Sequence, residues 1–249
     1  MLRVDLNCDM GEGVGNDIAL MPHITSANIA CGGHAGDDML MRETLLLAAA
    51  HGVAAGAHPG YPDRDNFGRS SMGLSPGEIY DTVVRQIGAL LSAARSAGVP
   101  VAHVKPHGAL YNDAAGDAHA AQAIVRAVRD TDAGLLLYAL AGSALMTEAE
   151  RLGLRAVGEA FADRGYEPDG TLTPRDTAGA LIDDPSAAAA RVLGMVTQNA
   201  VTCSDGSDIS VHAGTVCIHG DGAHAVQIAV EVRRVLADAG VRVVAPDHP

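Results

Sequence analysis

The feature that most constrains this chain is an alternation. Short apolar runs of strand length return seven or eight times, and segments with helical periodicity stand between them. The runs are Arg3–Leu6, Ser26–Ala30, Ala54–Ala57, Ala102–Lys105, Leu135–Ala139, Ala156–Glu159 and Val216–Ile218, with Val241–Val244 as a further candidate. The helical segments are Asp38–His51, Pro76–Ala97, Asp117–Asp130, Ser143–Arg151, Pro185–Gln198 and Ala223–Ala239. Strands that alternate with helices build a parallel sheet. Runs such as Leu135-Leu136-Leu137 lack polar alternation, as expected of strands covered on both faces. Seven or eight units favour a closed, irregular TIM-barrel-like (β/α) barrel of about seven parallel strands over an open doubly wound sheet. No Pro/Ser/Gly-rich linker, charge block or internal repeat divides the chain, so one domain over residues 1–249 is expected.

Local signals agree with this pattern. Ser75-Pro76-Gly77-Glu78 is a capping box with proline at the first helical position, and Gly98 can close the same helix in a left-handed conformation. Asp184-Pro185 repeats the start signal. Ala120, Ile124, Val125 and Val128 give one apolar face at helical spacing. Pro59–Leu74 and Gly165–Ala178 have no regular pattern and are candidate active-site loops.

Polar residues gather where the strands end. The first strand gives Asp5, Asn7, Asp9 and Glu12, and the second supplies Asn28, then His34 and Asp37. The third gives His58, followed by Asp63 and Arg69. The fourth gives Lys105, His107 and Asn112, the sixth Glu159, Asp163 and Arg164, and the seventh His219 and Asp221. One buried His or Asp is more often a structural hydrogen-bonding residue. Six clusters at the carboxyl ends of parallel strands converge on the face where barrel enzymes place their chemistry. Only 3% of the chain is aromatic, yet five of its seven aromatic residues (Tyr61, Phe67, Tyr111, Phe161 and Tyr166) lie in or beside these segments, which points to a shaped pocket.

Lys105 is the only lysine among 17 basic residues. A lysine kept where arginine is otherwise used suggests a site that needs a compact ammonium. The net charge of -13 makes nucleic acid and anionic lipid poor partners. No apolar segment has the length of a signal peptide or a membrane span, so a cytoplasmic location is expected. Cys8, Cys31, Cys203 and Cys217 show no disulfide framework, and Cys31-Gly-Gly-His34 has no second pair to complete a zinc site. Dinucleotide, P-loop and serine-elbow motifs are absent.

Taken in order, Val4–Glu12, Asn28–Asp37, Gly56–Asp63 with Phe67-Gly68-Arg69, Val104–Asn112, Glu159–Tyr166 and Val216–Asp221 resemble the motifs of the LamB/YcsF family, whose members are the A subunits of 5-oxoprolinases. The likeness runs almost from end to end, with one departure: Ser70 stands where the family is expected to carry a second arginine. The resemblance implies a barrel of about seven strands, distantly similar to metal-dependent polysaccharide deacetylases. It also implies ATP-driven opening of the 5-oxoproline lactam to L-glutamate, ADP and phosphate, together with partner subunits B and C.

On that basis Asp9, His34, His58, Lys105, His107, Glu159, Asp163, Arg164, His219 and Asp221 are the candidate catalytic residues. Asn7, Asn28, Arg69, Tyr111 and Asn112 are candidate substrate contacts. Lys105 and Arg164 are assigned to anions, Asp9 or Glu159 to base work, and the histidines to proton transfer or substrate binding. ATP is the expected co-substrate, with magnesium travelling with it. A tightly bound metal stays open, because Asp9, His34 and His58 could form an Asp/His/His site. Two rival readings remain at this point: a stand-alone metal-dependent deacetylase or amidohydrolase, and a non-catalytic protein that only binds the lactam.

Overall fold

A computed structural model describes residues 1–247. In chain order the elements are β1 (Arg3–Met10), α1 (Asp17–Leu20), a 3-10 turn (Met21–His23), β2 (Ser26–Ala30), α2 (Asp38–His51), β3 (Ala54–His58) and α3 (Pro76–Ala97). There follow β4 (Val101–Val104), α4 (Gly108–Gly116), α5 (Ala118–Thr131), β5 (Leu136–Leu140), α6 (Ala144–Arg151), β6 (Ala156–Phe161) and α7 (Pro185–Gln198). The last are β7 (Ala200–Thr202), β8 (Asp208–Ser210), β9 (Thr215–Cys217), α8 (Ala225–Asp238) and β10 (Arg242–Val243).

Strands β1 to β6 pair in sequence order, all parallel, and β9 pairs with both β6 and β1. Thr215 stands opposite Asp5 on one side and Glu159 on the other, which closes a barrel of seven parallel strands. This is the fold expected from the alternation. The candidate eighth strand, β10, adds only a two-residue pairing to the start of β1. The antiparallel hairpin β7–β8 and the helix α4 were not foreseen.

The helices start and stop where the capping chemistry directs. The Ser75 hydroxyl and the Glu78 carboxylate cap each other's backbone N–H groups at the start of α3, and Gly98 closes it at φ 69°. Asp184 accepts from Ala187 N at 2.7 Å at the start of α7. The apolar core lies between barrel and helices: Leu6, Cys8 and Met10 of β1 belong to it together with Ile79, Val83, Ile87 and Leu90 of α3. Burying each such Leu, Ile or Val contributes about 1.5–3 kcal/mol. Among the described residues no helix is long and apolar enough to cross a membrane.

The inside of the barrel is different, because it is polar. At its base Asp5 accepts from Thr25, Ser26 and Thr215, and Ser26 meets the Tyr138 hydroxyl. One layer higher, Asn7 donates to Glu159 and Thr215, Asn28 donates to Asn7 and Asp9, and His103 pairs with Asn28 at 2.8 Å. Gly56 makes room for this layer, since a Cβ there would fall 2.2 Å from His103 Nε2. These buried side chains thus supply one another's partners, as they must when water is excluded.

Candidate active site

Above these layers, at the carboxyl ends of the strands, Lys105 occupies the barrel axis. Its ammonium lies 2.9 Å from Asp9 Oδ1, 3.1 Å from Glu159 Oε1, 3.3 Å from Asn7 Oδ1 and 3.0 Å from Cys217 Sγ. Burial opposes its charge, but the carboxylates of Asp9 and Glu159 outweigh burial and hold its pKa well above the usual lysine value. In return, Asp9 is held well below the carboxylate range: burial pushes it up, and His58 and Lys105 more than offset that. Burial keeps the Cys217 thiol protonated, its pKa well above the usual value.

One flank of this centre is a histidine cluster. His34 Nε2 lies 3.0 Å from Glu12 Oε1, His107 Nδ1 lies 3.3 Å from it, and His58 Nε2 lies 3.8 Å from it. His58 Nδ1 donates to Lys105 O at 2.7 Å and His107 Nε2 donates to Phe67 O at 2.9 Å, since a carbonyl can only accept. The remaining nitrogens, His58 Nε2 and His107 Nδ1, therefore face each other at 2.9 Å. The rings of His34 and His107 stack with centroids 3.6 Å apart. Burial holds the His34 pKa down at about 2, and His107 well below the usual histidine value. Glu12 is pushed up to about 9 by burial, with Asp9 and Asp221 adding to it. The Pro59–Leu74 loop seals this flank. A Cβ on Gly68 would meet His34 Cβ at 2.7 Å, and the backbone there takes φ 64°.

The other flank is cationic and more open. Asp163 accepts from His219 N and from His219 Nδ1, both at 2.9 Å, which turns His219 Nε2 away from the carboxylate. Burial opposes ionisation of Asp163, but His219 outweighs it and keeps the pKa below the usual carboxylate value. Arg69 pairs with Asp221. Arg164 donates to Ala180 O and Thr173 O, and so ties down the Gly165–Ala178 loop. Between the flanks lies a cavity of about 550 Å³ whose wall includes Asp9, Glu12, His58, Lys105 and His107 together with Arg69, Arg164, Arg175, His219 and Asp221. Tyr111 and Phe161 supply apolar wall. Three arginines around one hollow, in a chain of net charge -13, make it a place for anionic groups.

Most candidate residues meet here, with corrections. Asn7 and Asn28 are fully buried beneath the cavity and bonded inside the barrel, so they support the site and do not contact a substrate. Glu159 is likewise enclosed and absent from the cavity wall, which removes it as a base for water. Lys105 has all its ammonium donors engaged within the barrel, so it neutralises Asp9 and Glu159 and is not free to grip substrate anions. Arg164 lines the cavity but holds a loop with two of its nitrogens. His34 opens on a smaller hollow, beside Glu12 and Arg64, and Asp163 stands behind His219. Asn112, Tyr111 and Arg69 line the cavity as expected. All four cysteines are free and buried, and Cys31 joins no metal-ligating group among the described residues. Glu12 stands among the strand-end polar residues but was given no role, and Arg175, in a loop already marked as irregular, was missed.

The model of the LamB/YcsF family matches residues 4–248. The chain belongs to this family. It is 54% identical to the 5-oxoprolinase A subunit of Tolumonas auensis, over 98% of this chain and 99% of that one. It is 51% identical to the 5-oxoprolinase A subunit of Bacillus subtilis, over 98% and 97%. Among solved structures it is similar to the lactam utilization protein of Thermus thermophilus, at 46% identity and a TM-score of 0.92, covering 98% of this chain and all of that one. A deacetylase named T48 shares the fold at 16% identity and a TM-score of 0.51, covering 98% of this chain and 87% of that one. The family thus carries a barrel also used by a deacetylase.

Proposed function

We propose that this chain is the A subunit of a cytoplasmic, ATP-dependent 5-oxoprolinase that works with subunits B and C. It opens the lactam of 5-oxo-L-proline with water to give L-glutamate, ADP and phosphate. The observation that carries this reading is the cavity: cations and an Asp–His pair share a hollow of small-molecule size, in a chain whose relatives bear that name. A five-membered lactam is a stable amide, and ATP supplies the driving force. Transfer of the γ-phosphoryl group to the amide oxygen makes the ring carbon electrophilic and gives that oxygen a good leaving group. Water then adds, the C–N bond breaks as nitrogen takes a proton to leave an acyl phosphate, and a second water releases phosphate from it to give glutamate.

The residues suit such steps. Arg69 and Arg175 can hold the substrate carboxylate and phosphoryl oxygens through charge-assisted hydrogen bonds. His219, its tautomer set by Asp163, can accept the proton of the attacking water through Nε2. Asp9 stays ionised beside Lys105 and can orient that water. Magnesium would travel with ATP and requires no protein cage.

The histidine cluster favours a second reading, metal-dependent amide hydrolysis without ATP. One assay separates the two: L-glutamate release from 5-oxoproline by the chain alone and with subunits B and C, with and without ATP. Glutamate formed only with partners and ATP supports the first reading, and glutamate formed without ATP replaces it with the second.

A further inference from the structure

We propose that Glu12, His34, His58 and His107 bind one divalent transition-metal ion, zinc foremost, in the wall of the barrel cavity. Four ligand atoms from four segments of the chain converge there, all within 4.8 Å of one another. Ligand bonds of about 2.1 Å in a tetrahedral centre set neighbouring ligand atoms about 3.4 Å apart. The distances found are 2.9 Å (His58 to His107), 3.0 Å (His34 to Glu12), 3.3 Å (His107 to Glu12) and 3.8 Å (His58 to Glu12). These four of the six pairs bracket that value, and the two pairs of His34 with His58 and His107 lie within 4.8 Å.

The tautomers point the same way. His58 and His107 each donate the far ring N–H to a backbone carbonyl, the outer-sphere arrangement that fixes metal-binding imidazoles. Their lone-pair nitrogens are thereby aimed at each other, a contact that needs a positive species between them. One shared proton can link one pair of atoms, whereas Glu12 Oε1 stands close to all three rings. A single cation answers the His58, His107 and Glu12 contacts together, and His34, stacked on His107 with ring centroids 3.6 Å apart, adds its lone pair by turning out of that stack. Three imidazoles and one carboxylate suit zinc, cobalt or nickel, and not magnesium or calcium, which take oxygen ligands.

This set differs from the Asp9, His34 and His58 triad considered from the sequence. Asp9 Oδ2 also reaches His58 Nε2 at 3.2 Å, but Asp9 Oδ1 is engaged by the Lys105 ammonium at 2.9 Å, and Glu12 and His107 complete the group around His34 and His58. A second group, Asp9 with Cys217 and His219, also lies within 4.8 Å. It is a poor cation site, because Lys105 already places a positive charge 2.9 Å from Asp9 and 3.0 Å from Cys217.

The test reads metal binding and involves no lactam assay, so it stands or falls separately from the proposed activity. The full chain is stripped with a chelator, then dialysed against zinc, and in parallel loaded with cobalt for visible spectroscopy. The expected result is one ion per chain and the visible bands of four-coordinate cobalt. Glu12→Gln and His34→Gln should each weaken binding by about a hundredfold or more, since even outer-sphere partners are worth ten- to a hundredfold. Cys217→Ser should leave it unchanged. The proposal is overturned if the wild-type chain binds no stoichiometric ion, a measurement that needs no variant to fold. It is equally overturned if binding survives both substitutions, or if it is lost in Cys217→Ser and so belongs to the other group.

Discussion

The two flanks of the cavity use the same residue types to opposite ends. On the Glu12 flank the side chains of Glu12, His34, His58 and His107 are at most 5% exposed, and backbone carbonyls fix two of the rings. On the Arg69 flank the pairs stay in touch with solvent: side-chain exposure is 15% and 13% for His219 and Asp163, and 37% and 24% for Arg69 and Asp221. Charges in a dry, rigid setting act strongly and exchange partners slowly, whereas half-exposed pairs can open to receive an anion at small cost. The difference teaches that one flank is a fixed centre and the other a docking wall. Lys105 stands between them.

The largest effect is expected from removing that divider. Lys105→Met leaves Asp9 and Glu159 buried without their cation, which costs about 3–5 kcal/mol of stability when one partner of a buried pair is lost. Urea denaturation measures it. A loss below about 1 kcal/mol would show that the flanks do not depend on this ion pair. Lys105→Arg sharpens the test, because a planar guanidinium cannot replace a compact ammonium among acceptors packed at 2.9–3.3 Å. Activity should vanish there while the fold survives.

Next in size is Asp163→Asn. It keeps the shape but removes the charge that sets the His219 tautomer, so kcat for glutamate release by the assembled enzyme should fall about 10²–10⁴-fold. KM should change little. A variant with undiminished kcat would move the proton transfer off the docking wall and onto the buried flank.

Much of this arrangement was legible in the chain. The strand-and-helix alternation led directly to a parallel barrel, and the solitary lysine marked the axis. The apolar run predicts a first strand that ends at Leu6, however, and β1 runs to Met10. Asp5, Asn7 and Asp9 alternate with Leu6, Cys8 and Met10, a period-two pattern that an apolar-interior rule takes for a strand end. Here the barrel interior is hydrogen-bonded, so the polar members continue the strand. The histidine cluster was hidden for another reason. His58 and His107 lie far apart in sequence, and only the parallel register, continued by the bonds Lys105 N to Ala57 O and His107 N to Pro59 O, brings them together. Helix α4, framed by Gly108 and Gly116, lacks the apolar repeats of a longer helix. Arg175 lies in a loop with no periodicity to reveal it.

A smaller effect probes the docking wall alone. Arg175→Ala removes one cation that lines the cavity without an ion pair to the buried flank. A lost charge-assisted hydrogen bond costs about 1.5–3 kcal/mol, so KM for the anionic substrate it holds should rise about 10–100-fold. Stability should stay within about 0.5 kcal/mol of the parent. An unchanged KM with a fallen melting temperature would make Arg175 a structural tie like Arg164.

The smallest effect is a slope in acid. His219 keeps Asp163 ionised below the usual carboxylate range, so its folded pKa is depressed relative to the unfolded chain. Such a group stabilises the fold fully above the unfolded value of about 4 and loses that contribution as pH falls through the lower folded value. Asp163→Asn has no proton to gain there. The stability gap between parent and variant should therefore be constant from neutral pH down to about 5 and close progressively below about 4. Denaturation midpoints at a series of pH values follow it. A gap that instead widens in acid would mean that Asp163 is protonated in the fold, and the docking wall would then lack the carboxylate that orients His219.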